Sequence, residues 1–230
     1  MTMVMEHITE NARRSFDAIL ARAIQLRLKQ REGDRVVISA SSLAVAEMAL
    51  AKRTNFGAAS AANPGATSTR TSESSSMLAP GVVVVTIASI TFRLLFMLQI
   101  DETPATRRYF LGDDLQRPFE DAVSELANLC GGVMNQALLR YFPDLGMSTP
   151  YRLDAPCLGY LQALTPQYQN RFSIVIEAAS NEPIAEPLGE TAGEAIKCIA
   201  TICVSANAPL NFAAEIDVEA VDTGGELEFF

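Results

Sequence analysis

The chain is short of the side chains on which most nucleophilic and metal chemistry depends. Its single histidine, His7, lies near the N-terminus. Histidine-based metal sites and Ser-His-Asp or Cys-His nucleophile systems are therefore not expected. Four cysteines, Cys130, Cys157, Cys198 and Cys203, include no C-x-x-C pair. They read as small, buried apolar residues in a reducing compartment. Positive charge is scarce as well. A formal net charge of −9 disfavours the basic surface that a phosphate backbone needs, which argues against a nucleic-acid partner. The N-terminal stretch carries Glu6 and Glu10 and lacks the cationic start and apolar run of a secretory signal, so a cytoplasmic protein is expected.

One long hydrophobic run does occur, from Gly81 to Ile100 (GVVVVTIASITFRLLFMLQI). Its length suits a membrane span. However, it is rich in β-branched residues and interrupted by Thr86, Ser89, Thr91, Arg93 and Gln99, and an arginine near its middle would be costly in lipid. The run predicts two adjacent, mostly buried strands and no membrane insertion.

Nearly half of the residues are apolar, enough for a sizeable core, and the length suits one domain over residues 1–230. Residues 55–76 (NFGAASAANPGATSTRTSESSS) hold almost no large apolar side chain. Such a stretch cannot bury enough surface to offset its ordering entropy, so it reads as a disordered insertion. It is not a boundary between two domains, because the piece before it has too little apolar content to fold alone. Residues 222–230 read as a short acidic tail.

Periodicity supplies the elements. A first helix is expected over 7–30, with Thr9 as N-cap and Gly33 as its stop. Its exposed side is basic (Arg13, Arg14, Arg22, Arg27, Lys29, Arg31), which is either an acidic-partner site or a solvated helix face. A strand over 35–41, a helix over 43–52 and a short helix over 103–111 stopped by Gly112 follow. Pro118 then opens a long helix over 118–141, near its first turn, where a missing N–H costs nothing. Strands are expected over 149–153, 172–178, 196–206 and 212–221, with 156–169 irregular and 181–193 a loop.

The long helix is the most informative element. Val123, Leu126, Ala127, Cys130, Val133, Met134, Ala137, Leu138 and Tyr141 give an i, i+3, i+4, i+7 apolar stripe. Asp121, Glu125, Asn128, Gly132 and Asn135 fall together on the opposite side. Leu129 and Leu139 flank this face. A mid-helix glycine costs roughly 1 kcal/mol against alanine, and a patch without a side chain lets another surface approach closely.

Asp121-x3-Glu125-x2-Asn128, followed after twenty-one residues by Pro150, resembles the signature of the CheC/CheX/FliY chemotaxis phosphatases. The surrounding phrase is similar too: Phe110-Leu111-Gly112-Asp113-Asp114, then Asp121 to Asn128, then Gly132. The resemblance is best over about 78–178 and looser to 221. A single copy of the motif points to the CheX-like branch. That resemblance implies an α+β fold in which long helices pack on an antiparallel sheet with pseudo-symmetry, working as a homodimer.

It also implies a function: removal of phosphate from a phosphorylated CheY-like receiver domain, the partner of the reaction. On that reading Glu125 and Asn128 are catalytic, while Asp121, Gly132, Asn135 and Gln136 touch the partner. Asp121 has a second reading as an N-terminal-turn partner of the helix dipole, and Pro150 as a residue shaping the start of the following strand. The chain itself needs no cofactor or metal; the Mg²⁺ belongs to the receiver domain. The alternatives are a non-catalytic, FliM-like binding or switch module, and a scaffold assembled through the basic first helix and acidic tail.

Overall fold

The computed structural model describes residues 7–41, 81–112, 114, 116–179 and 195–215. The expected helix at 43–52, the insertion at 55–76, the loop at 181–193 and the tail at 222–230 lie outside the described residues. In chain order the elements are α1 (Glu10–Arg27), β1 (Arg35–Ser41), β2 (Gly81–Ala88), β3 (Phe92–Ile100), α2 (Pro104–Leu111) and α3 (Phe119–Leu139). There follow β4 (Gly146–Met147), β5 (Tyr151–Asp154), a 3₁₀ segment (Ala155–Leu164), β6 (Tyr168–Glu177) and β7 (Ile196–Ala206).

The architecture is α+β. The strands form one antiparallel sheet in the order β1-β6-β7-β3-β2, with β4 and β5 both pairing along the outer edge of β2. Exchanging β1, β2, β3 with β5, β6, β7 turns this order into its own reverse. Two α-β-β-β halves are therefore related by a pseudo-twofold axis between β3 and β7, and each half lends its first strand to the other's edge. The helices obey the same relation. The buried positions Ala12, Ser15, Phe16, Ile19, Leu20, Ala23 and Ile24 of α1 have the same spacing as Phe119, Ala122, Val123, Leu126, Ala127, Cys130 and Gly131 of α3.

Strand alternation explains the core. Val83, Val85 and Ile87 of β2 and Phe92, Leu94, Phe96, Leu98 and Ile100 of β3 point to the helix layer and join its apolar stripes. On the opposite face Val82, Val84, Met97 and Cys203 are covered by Ala155, Leu158 and Leu161 of the 3₁₀ segment. Both faces of β2 are thus buried, which is why its sequence is a continuous valine run and not an alternating one. Among the described residues no helix is long and apolar enough to cross a membrane. Cys130, Cys198 and Cys203 are buried free thiols, and burial pushes each up to about 12.

Three sequence expectations need correction. Gly33 does not stop α1, which ends with Leu28 as C-cap donating to the Ile24 carbonyl. Gly33 is instead a point of close approach: a Cβ there would lie 2.9 Å from Cβ of Ala179. Residues 156–169 are not simply irregular, because 155–164 are 3₁₀ and β6 begins at Tyr168. Its first inward residues, Tyr168 and Asn170, are polar because they donate to the Asp17 carboxylate of α1, at 2.5 and 2.9 Å. Finally, residues 212–215 are not a strand. The segment turns along α1: Leu210 N–H donates to the His7 carbonyl (2.7 Å), Ala214 N–H to Ser15 Oγ (2.8 Å) and Glu215 N–H to the Tyr141 hydroxyl (3.1 Å). Phe212 packs edge-on against Phe16 and Phe142. Backbone groups satisfied in this way have no need of a sheet partner.

Candidate functional site

The site is built on α3, and its rigidity comes from how that helix is seated. The apolar stripe faces the sheet. At Gly131 the helix backbone comes so close to β2 that a Cβ would meet Val85 Cγ1 at 2.9 Å and Met147 Sδ at 3.3 Å. Near the helix start, Glu120 forms an ion pair with Arg152 of β5. Pro118 is the N-cap residue, with φ at −58°, and its carbonyl accepts from the Asp121 N–H at 3.1 Å. A helix held at its start and middle is a firm mount for side chains on its outer face.

That outer face carries Asp121, Glu125 and Asn128, all exposed. Spacings of four and three residues place them on one line along the helix. Gly132 continues the line, and nothing lies within 4 Å of the position its Cβ would take. Gln136 is exposed, whereas Asn135 is half-buried, with Oδ1 sealed and accepting no hydrogen bond among the described residues. Leu129 and Leu139 are each 40% exposed, so the flank of the face is apolar and open. Asn128 makes no side-chain hydrogen bond among the described residues, which leaves both its acceptor and its donors available. Pro150 is half-buried and immediately precedes β5. Asp121 and Glu120 occupy the first turn of α3, where a carboxylate suits the helix dipole.

Glu125 is not solitary. Arg117 Nη2 donates to Glu125 Oε2 at 2.5 Å, across the first two turns of the helix. That bond, with the charges of Glu125, Asp121 and Asp114 around it, raises the affinity of the Arg117 guanidinium for its proton. Sequence reasoning missed Arg117. The available signal was a cation directly before the proline that opens the helix, but side-chain reach over eight residues is not readable from periodicity.

The pseudo-twofold axis gives α3 an internal control. The positions of α1 equivalent to Asp121, Glu125, Asn128 and Gly132 are Arg14, Ala18, Ala21 and Gln25. These four line an open groove with Asp17, Ile38, Ala40 and Phe172. Methyl groups replace the carboxylate and the carboxamide, and an arginine, paired with Glu10, replaces the aspartate. Burial raises the Asp17 carboxyl, against the opposing hydrogen bonds from Tyr168 and Asn170. Of the two helix faces, only that of α3 combines a free carboxamide with a carboxylate one turn away.

Among solved structures, this chain is similar to chemotaxis proteins of the CheC and CheX kinds. A CheC-like superfamily protein from Shewanella sp. PV-4 is 10% identical, with 86% of this chain and 99% of that chain covered and a TM-score of 0.40. Chemotaxis protein CheX from Vibrio vulnificus is 13% identical, with 83% and 97% covered and a TM-score of 0.37. A chemotactic CheC-like protein from Shewanella oneidensis MR-1 is 7% identical, with 84% and 94% covered and a TM-score of 0.37. No protein-family model matches the chain, and no curated protein does.

Proposed function

We propose that this chain is a phosphatase acting on a phosphorylated CheY-like receiver domain, with α3 as the element that enters the receiver's active site. The observation that carries this reading is the outward presentation of Asn128, with no side-chain hydrogen bond among the described residues, one helical turn from Glu125 on a firmly seated helix. The motif spacing from Asp121 to Pro150 supports it independently. An aspartyl phosphate is an activated acyl phosphate, and the receiver supplies the Mg²⁺ that offsets charge on the transferring group. The remaining task is to place a water in line with phosphorus.

A carboxamide suits that task. Asn128 Oδ1 accepts from the water while Nδ2 donates to a phosphoryl oxygen. The water oxygen forms the new bond to phosphorus, and the bond between phosphorus and the receiver's aspartate oxygen breaks. The aspartate leaves as a carboxylate, and both protons of the water end on the released phosphate, as dihydrogen phosphate. Glu125 pairs with a lysine ammonium of the receiver, which fixes the docking register. Gly132, Gln136 and the apolar flank of Leu129 and Leu139 let the partner approach closely. Each tenfold acceleration requires about 1.4 kcal/mol of transition-state stabilisation, so positioning by Asn128 is sufficient for a large effect.

Glu125→Ala tests the docking part of this assignment. The variant is expected to raise KM for the phosphorylated receiver roughly tenfold, within the range for losing a charge pair at an interface, and to lower kcat as well, because register slips. An unchanged KM and kcat in a steady-state phosphate-release assay would remove Glu125 from the site. Receiver binding with no effect on phosphate loss would make the chain a non-catalytic binding module.

A further inference from the structure

We propose that Arg117 sets partner selectivity by competing with the receiver's cation for Glu125. This inference rests on the phosphatase reading and adds a regulating residue to the same site. Arg117 lies just outside α3, in a turn where its N–H donates to the Asp114 carbonyl at 3.3 Å. Pro118 follows and opens the helix. From there the side chain runs back over the first two turns and places its guanidinium on the face a partner must cover. Glu125 holds it by a hydrogen bond, and the charges of Asp121 and Asp114 add to the field that favours the cation.

The pair is open to water, with side chains 40% and 56% exposed for Arg117 and Glu125. An exposed ion pair contributes little to folding and is weakened by salt. Its consequence for docking is larger than for stability. An incoming ammonium meets a carboxylate that already holds a cation, and the two like charges repel at close range. A receiver must bring a cation placed well enough to share or take over Glu125. A receiver without one leaves Arg117 in possession and gains nothing from this side chain. Selectivity thus comes from a built-in repulsive element as well as from attraction. Arginine stays charged across the working pH range, so the competition does not switch off with pH.

The test is the KM for a phosphorylated receiver domain under Mg²⁺ at low and high salt. Arg117→Gln is expected to lower KM roughly two- to fivefold at low salt, the range an exposed pair supports. The difference should shrink towards none as salt screens the charges. In a Glu125→Gln background the same substitution should produce no gain, because the contested carboxylate charge is gone. A KM that is unmoved or raised in a folded Arg117→Gln protein overturns the proposal, and so does an equal gain without the Glu125 charge. If the wild-type chain does not accelerate phosphate loss, the phosphatase reading falls and this inference with it. Acceleration with an unmoved KM overturns the inference alone.

Discussion

Asn128→Ala is expected to lower stimulated dephosphorylation of the receiver by about 10²-fold or more, the usual loss when a preorganised hydrogen-bonding group is removed from the reacting centre. The substitution deletes the carboxamide placed one turn from Glu125, which accepts from the water and donates to phosphate in this mechanism. It leaves Glu125, Arg117 and the apolar flank in place, so the loss should fall on kcat and leave KM within a few-fold. Asn128 is exposed and makes no side-chain hydrogen bond among the described residues, so melting should change by no more than about 0.5 kcal/mol. Alanine is also a better helix former than asparagine. Single-turnover decay of the phosphorylated receiver, read beside a thermal melt, separates the two effects. A variant that keeps full activity would take the chemistry away from this helix face.

The largest expected effect on stability lies elsewhere, at Asp34. This carboxylate is buried (5% exposed) between the end of α1 and the start of β1. Tyr109 of α2 donates its hydroxyl to Asp34 Oδ2 at 2.6 Å, and the backbone N–H groups of Arg31 and Gln30 donate to the same oxygen at 2.9 and 3.2 Å. The Ala179 N–H donates to Oδ1 at 2.8 Å, tying in the end of β6. Burial alone would raise the Asp34 carboxyl. The hydrogen bonds, Tyr109 first among them, outweigh burial and hold it below the ordinary carboxylate range. Asp34→Ala is expected to cost about 3 kcal/mol, since charge-assisted bonds are lost and buried donors are left without an acceptor.

The pH dependence has a definite sign. The folded-state value lies below the unfolded one, near 3.9, so the unfolded chain binds more protons in that window. The Asp34 contribution is therefore fully present above about pH 4 and is lost as pH falls through the folded-state value. The gap between denaturant melts of wild type and Asp34→Ala should narrow as pH falls from neutral into the acid range. A constant gap between them would show that the carboxylate charge is not what holds this junction.

The contrast between α3 and β6 shows what can be read from sequence and what cannot. The stripe of α3 and its opposing polar line follow from helical spacing, and the structure places Asp121, Glu125, Asn128 and Gly132 together as that spacing requires. Strand β7, expected over 196–206, occurs as Ile196–Ala206 because its inward positions alternate without interruption. The start of β6 was hidden because Tyr168 and Asn170 face a carboxylate on another element, so hydrophobic alternation fails there. Residues 212–215 carry strand-like apolar spacing, yet α1 and Tyr141 take their hydrogen bonds. Gly33 departs from its expected role for a related reason, since its constraint is a neighbour at Ala179 and not the local helix end. Arg117 belongs to the same class: its role is set by a contact eight residues away that no periodic pattern records. Local rules carry the helices and hairpins, while contacts between elements decide the exceptions.

On the proposed reading, one carboxamide on a stiff helix completes the hydrolytic site of another protein. The direct measurement is the lifetime of a phosphorylated CheY-like receiver domain in Mg²⁺, with and without catalytic amounts of this chain. The decay rate is expected to rise in proportion to added wild-type chain and to fall back to near the receiver's intrinsic value with Asn128→Ala. A lifetime unaltered by the wild-type chain, across receivers shown to bind it, would contradict the account.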